Sequence, residues 1–276
     1  MNYEFCARTD PGRVRTNNED AVSVDPQAHI AVLADGMGGY NAGEVASRMA
    51  TEQITADMAR WLGQAPLPLA SSDVRRALEI CVHNANRAIH GAAQADPQCS
   101  GMGTTLVAGV FCGPQLILAH VGDSRAYRLR AGVLTQLTRD HSWLQEQIDA
   151  GWLTPEQAAQ SGGRNLVTRA LGAESSVEVD INELPIGAGD LILLCSDGLS
   201  EMLAPEDIAT LASSPAPLDD KASALIAAAN AHGGRDNISV LLVQAQASTQ
   251  TAAPATPEAP PLHKRKLFAR WRSSSS

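Results

Sequence analysis

The chain has 276 residues, 44% of them hydrophobic and 4% aromatic, with a net charge of −9. That is enough apolar material for one substantial core with appendages, and the negative balance argues against a nucleic-acid surface, which needs clustered positive charge. The N-terminus lacks a basic and apolar leader pattern, no apolar run approaches the ~20 residues that span a bilayer, and the five cysteines form no Cys-x-x-Cys pair. A cytoplasmic protein with reduced cysteines is the expectation.

In chain order, Tyr3 to Ala7 reads as a weak strand, Pro11-Gly12 as a turn, and Arg15 with Asn17-Asn18-Glu19-Asp20 as a dense polar cluster before the strand Ala21 to Val24. Ile30 to Ala34 is an apolar run that stops on Asp35, followed by three glycines in four residues. It predicts a buried strand delivering Asp35 to a sheet edge, with the Gly36 backbone free to approach a ligand. Gly43 to Leu62 carries a helical apolar stripe, and a second helix follows with Ser72 or Asp73 as its cap and Val74, Leu78, Cys81, Val82, Ala85 and Ile89 as its buried face. His83 and His90 have no carboxylate neighbour in this pattern and read as ordinary surface or boundary residues.

Four strands come next, Thr104 to Phe111, Gln115 to Val121, Arg125 to Arg130 and Val133 to Leu137, separated by short turns and expected to pair as antiparallel hairpins. Residues 140–164 change to short amphipathic helices, one capped by Ser142 and one by Thr154 with Pro155 and Gln157, ending in a Gly162-Gly163 hinge. This insertion, about residues 140–165, is expected to form a small flap over the sheet edge. Strands at Val177 to Ile181, Leu191 to Cys195 and Ile238 to Gln244, with helices near Pro205 to Leu211 and Lys221 to Ala231, complete a mixed sheet and helix domain at 1–247.

From Ser248 to Pro261 the composition is that of a disordered Ala/Thr/Pro linker, and a basic segment, Lys264 to Arg272, follows. Residues 248–276 hold five Lys or Arg and one Glu, leaving −13 on the rest of the chain. Three readings stay open: a solvated tail, a weak tether to anionic lipid or an acidic partner, or self-docking on the acidic body.

The acidic residues recur at strand ends: Glu19, Asp20, Asp35, Asp123, Asp197 and Asp236. Any one Asp-Gly could be a plain turn. Together they form an all-oxygen ligand set, which selects Mg2+ or Mn2+ over zinc, because so many buried carboxylates repel unless a cation lies among them. Two such ions could activate a water and clamp the oxygens of a displacement at phosphorus. Arg15, able to fork onto two oxygens, is the candidate for the phosphate's own charge.

Eight motifs, Arg15-x-x-Asn18-Glu19-Asp20, Asp35-Gly-Met-Gly-Gly39, Gly103-Thr-Thr105, His120-Val-Gly-Asp-Ser-Arg125, Asp140-His-Ser142, Thr168-Arg-Ala-Leu-Gly172, Ser196-Asp-Gly-Leu199 and Gly234-Arg-Asp-Asn237, occur in an order that resembles the protein phosphatase 2C-like, metal-dependent serine/threonine phosphatases, above all their compact bacterial branch. The resemblance covers roughly Tyr3 to Gln244. It implies an α+β fold, a four-layer αββα sandwich of two antiparallel sheets flanked by helix pairs. Asp35 would bridge two Mn2+ or Mg2+ ions, with the Gly36 carbonyl on one of them. Asp197 and Asp236 would complete the first ion, Glu19 would support the second through water, and Asp123 with Asp197 would hold a looser third. Arg15 would bind phosphate. The implied reaction is direct attack by a metal-bound hydroxide on phosphoserine or phosphothreonine. Animal members carry His where this chain has Met37, so the leaving group's acid is open between a water and His141. A phosphatase opposing a bacterial Ser/Thr kinase, acting as a monomer, is the favoured expectation. Against it stand a silent phosphoprotein-binding relative, which would be expected to lack a ligand, and a partner-switching regulator, which would be expected to carry an N-terminal sensor.

Overall fold

The computed structural model describes residues 1–39, 42–161 and 166–247, so the expected Gly162-Gly163 hinge and the 248–276 tail lie outside the described residues. One sheet orders its strands as β1 (Asn2–Asp10), β11 (Ile238–Gln246), β10 (Leu191–Cys195), β7 (Arg125–Arg130) and β8 (Val133–Gln136). The other runs β2 (Asp20–Asp25), β3 (Ile30–Met37), β5 (Leu106–Cys112), β6 (Gln115–Val121) and β9 (Asp180–Pro185), with the short β4 (Gly103–Thr104) beside the end of β3. Neighbouring strands pair antiparallel throughout. Helices α1 (Ala42–Gln64) and α2 (Ser71–Ala95) pack on the second sheet, while α5 (Asp197–Ser200), α6 (Pro205–Ala212) and α7 (Leu218–Ala231) pack on the first. The expected four layers are present.

Strand periodicity assigns the three cores. On β3, Ile30, Val32 and Ala34 face the α1/α2 layer, and Ala31 and Leu33 face the opposite sheet. On β11, Ile238, Val240 and Leu242 face α5 to α7, and Leu241, Val243 and Ala245 point inward. Both faces of each central strand are therefore dry, which is why these strands read as unbroken apolar runs instead of alternating ones.

Several expectations need correction. β3 does not stop at Asp35 but continues to Met37, because β4 pairs with Gly36 and Met37. The expected hairpin between β6 and β7 is absent; the two strands belong to different sheets, and Gly122–Ser124 carries the chain across. Gly122 makes that crossing with φ of 102°, and a Cβ there would lie 2.7 Å from the Thr105 side chain. The strand expected from Thr104 is split into β4 and β5, since Thr105 turns to hold Asp35. The strand expected at Val177 is β9, placed by its register on β6. Helix α2 starts at Ser71 after Ala70 with no side-chain cap, and Asp73 instead sits in its first turn, where a negative charge favours the helix N-terminus. A short helix, α5, stands where Asp197-Gly198 read as a turn.

The flap consists of α3 (Trp143–Asp149), capped by Ser142, and α4 (Pro155–Gln160), whose Thr154 and Gln157 form the expected capping box. Among the described residues no helix is long and apolar enough to cross a membrane.

Candidate metal centre

The carboxylates gather at one end of the sandwich because the strands that carry them are neighbours. β2 and β3 place Asp20 directly opposite Asp35. β10 runs into Asp197, the first residue of α5, and β11 starts two residues after Asp236. The β6 to β7 crossing adds Asp123. Arg15, Glu19, Asp35, Gly36, Met37, Asp123, Asp197 and Asp236 line one cavity of about 350 Å³, with Leu166 and Val167, the latter bridged to Ser142, on its wall. Of the residues expected from the sequence to act here, Arg15, Glu19, Asp35, Gly36, Asp123, Asp197 and Asp236 line this cavity, while Asp20 and His141 do not.

Two kinds of contact fix Asp35. Its backbone N–H donates to the Thr105 hydroxyl at 2.9 Å, its carbonyl accepts from the Thr105 N–H at 2.9 Å and the Thr104 hydroxyl at 2.8 Å, and Thr105 Oγ1 shares a 2.7 Å bond with Ser124 Oγ beside Asp123. Gly36 lies against the Gly43 carbonyl and the Glu19 carbonyl, the latter 2.6 Å from where a Cβ would stand, and its N–H donates to Glu19 O at 3.1 Å. No side chain fits at that position, and Gly36 itself lines the cavity.

Asn237 is the hub that sequence reasoning left as a motif letter. Its Oδ1 accepts from the Glu19 N–H at 2.8 Å, while its Nδ2 donates to Pro11 O and Asn17 O at 3.0 and 2.9 Å. This ties the N-terminal polar loop to β11. Ser196 does the same for Asp20: its hydroxyl donates to Asp20 Oδ2 at 2.7 Å and accepts from the Ser239 N–H at 2.9 Å. Asp20 Oδ1 is buried without a partner. The signal for both lay in their place beside Asp236 and Asp197 within the quoted motifs.

Electrostatically the cavity is short of positive charge. Burial first, and then Asp20, Asp197, Asp123 and Asp236, push the Asp35 carboxyl well up; burial, Asp123 and Glu201 do the same to Asp197. Asp123 rises to about 6 through burial and Asp140, and Asp20 to about 6 through burial. Glu19 is raised by burial as well. Arg15 donates from Nη2 to Asp236 Oδ2 at 2.7 Å, a half-exposed pair at the rim. Carboxylates this crowded and this buried fit divalent cations: an oxygen-only set on the cavity wall, with a glycine backbone beside it and an orphaned Asp20 oxygen behind it, suits a hard ion.

His141 does not join them. Only 8% exposed, it accepts the Gly122 N–H through Nδ1 at 3.2 Å and faces Asp180 with Nε2 at 3.3 Å, so it lies behind the crossing loop and does not line the cavity. Met37 lines the cavity and offers no proton. A second cavity of about 280 Å³ adjoins the first through Asp123 and Asp197 and runs under α3 and α4.

The protein phosphatase 2C family model matches residues 12–241. The chain belongs to the protein phosphatase 2C family. It is 41% identical over 248 residues to a serine/threonine phosphatase, Stp, of Listeria monocytogenes, covering 88% of this chain and 96% of that protein. The crystal structure of the Mycobacterium tuberculosis serine/threonine phosphatase PstP/Ppp superposes with a TM-score of 0.81 at 39% identity, covering 90% of this chain and all of that one. The catalytic domain of PstP in complex with two manganese ions is also similar, with a TM-score of 0.77, 38% identity and coverage of 89% and 99%.

Proposed function

We propose that the carboxylate cavity hydrolyses phosphoserine and phosphothreonine in proteins, with Mn2+ or Mg2+ as its cofactor. The chain is a protein-serine/threonine phosphatase, a metal-dependent phosphoric monoester hydrolase. The observation that carries the reading is the convergence of Asp35, Asp123, Asp197 and Asp236 beside Arg15 in one buried-walled cavity, within a chain of this family.

In this reading Asp35 and the Gly36 carbonyl, with Asp197, Asp236 and Glu19, would hold two ions, and Asp123 with Asp197 would hold a third. When bound, the ions supply an activated water nucleophile and offset charge on the phosphoryl oxygens. The rest is done by the chain. Thr105 and Gly36 hold the Asp35 backbone still, Asn237 holds Glu19, and Ser196 holds Asp20, so the ligand atoms are placed before substrate arrives. Arg15 is close enough to exchange Asp236 for a phosphate oxygen, and its forked guanidinium orients the ester. Leu166 and Val167 form the wall against which the substrate chain lies. The leaving oxygen takes its proton from solvent, since Met37 and His141 offer none to the cavity.

We further infer a place for the enzyme in signalling, reversing the action of a bacterial Ser/Thr kinase, as a cytoplasmic monomer whose catalytic unit ends at 247. The basic 248–276 tail carries charge that would suit a weak contact with an acidic partner or an anionic membrane. The test is hydrolysis of a phosphothreonine peptide by the purified chain with Mn2+. Asp35→Asn is expected to lower turnover by about 10³-fold or more, and wild-type turnover in that variant would sink the reading of the site.

A further inference from the structure

Outside the cavity, among the described residues, one other group carries metal-ligand chemistry: His120, His141 and Asp180, whose ligating atoms all lie within 4.8 Å of one another. His120, near the end of β6, is 1% exposed, and its ring nitrogens make no hydrogen bond of good geometry, only a weak approach to the Ser124 backbone. A buried imidazole paired this poorly is costly unless something else occupies it. Strand register sets His120 opposite Asp180 on β9, and the His141 ring centroid lies 4.6 Å from that of His120. Asp180 is 44% exposed, which leaves a way in from solvent. Burial and His141 hold the His120 imidazolium down to about 4, so the ring is neutral at pH 7 with a lone pair to give.

We propose that His120, His141 and Asp180 form a second metal site, selective for Zn2+, distinct from the all-oxygen cavity. Two imidazoles and one carboxylate are a zinc donor set with the fourth position left to water, whereas Mg2+ and Mn2+ favour oxygen.

Binding there acts on the cavity through one hydrogen bond. Because His141 Nδ1 accepts the Gly122 N–H, the ring proton sits on Nε2, toward Asp180. Ligation through Nε2 moves that proton to Nδ1, where it meets the Gly122 N–H donor to donor. The Gly122 bond is then lost, next to Asp123. Arg169, whose Nη1 lies 3.4 Å from both His141 Nε2 and Asp180 Oδ1, must also withdraw, and Glu178 at 3.2 Å remains as its partner. Zinc therefore inhibits by loosening the loop that carries Asp123; this consequence rests on the proposed role of Asp123, while the binding itself does not. By linkage, whatever factor bound zinc takes from cation affinity in the cavity, a cation bound there takes from zinc affinity.

The experiment uses the full chain in saturating Mg2+, titrated with Zn2+, dialysed, and assayed for zinc content and for p-nitrophenyl phosphate hydrolysis. Wild type is expected to hold one more zinc per chain than either His120→Ala or Asp180→Asn, and both variants to tolerate about tenfold more zinc at half inhibition. Asp180→Asn, at a half-exposed position, decides the matter should His120→Ala not fold. Equal zinc content in wild type and Asp180→Asn overturns the proposal. Loss of the extra zinc in Asp35→Asn but not in Asp180→Asn also overturns it, placing the ion in the cavity and leaving the reading of the cavity intact.

Discussion

Asp35 reaches the cavity from a strand paired on both sides, with its backbone N–H and carbonyl both bonded to Thr105. Leu166 reaches the same cavity from the flap, where its carbonyl accepts the Trp143 N–H at 2.8 Å and the side chain is 56% exposed. The flap is rooted by Arg125, which donates three bonds to Asp140, and by His141, which exchanges bonds with Gly122; beyond the roots it is held by its own helix caps, the Arg139–Asp149 ion pair and the Trp143–Leu166 bond. The clustered carboxylates sit on cross-braced strands, whereas the wall formed by Leu166 and Val167, proposed above to meet the substrate chain, adjoins a locally stabilised excursion. Ligand geometry and substrate access should therefore respond separately to mutation.

The sharpest way to break that separation is Asp236→Asn, expected to cost about 10³-fold in kcat on p-nitrophenyl phosphate and on a phosphopeptide alike; a loss confined to the peptide would mean that Asp236 serves recognition. Arg15→Ala should lower kcat/KM by about 10- to 100-fold, the size of a charge-assisted bond, mainly through KM for the phosphate ester. A third prediction concerns metal removal. Asp20 and Asp123 keep their protons up to about 6 when folded but release them near their ordinary value when unfolded. The folded, metal-free state thus binds more protons between about pH 4 and 6, and its stability falls as pH rises through that window. Thermal denaturation in EDTA should show Tm dropping by about ten degrees or more across it, from about 3 kcal/mol per carboxylate, and saturating Mn2+ should remove the drop. The smallest effect is expected from the flap: Thr154→Ala should cost about 1 kcal/mol locally, seen as faster amide exchange in α4, with p-nitrophenyl phosphate turnover unchanged and only KM for a phosphopeptide raised.

Much of this was legible in the chain. The apolar runs ending at Asp35, Val121 and Cys195, and the cap signals at Ser142 and Thr154, report local chemistry and needed no partner to be read. The β6 to β7 crossing was not legible, because a short glycine turn looks the same whether it closes a hairpin or changes sheets; only the pairing of β7 with β10 and β8 in the other sheet distinguishes them. Nor could spacing show that Asn237 and Ser196 brace Glu19 and Asp20, since those contacts join residues 218 and 176 positions apart. The same holds for His120 and Asp180, which meet only through the register of β6 on β9.

By itself, then, the sequence determined which residues carry the charge and the kind of ion they suit, because carboxylate chemistry and strand periodicity are properties of short segments. Which carboxylates share a wall, which are held by neighbours, and that His141 turns away from the cavity toward Asp180 were decided by tertiary structure alone, because strand order and sheet stacking bring together groups that no local pattern connects.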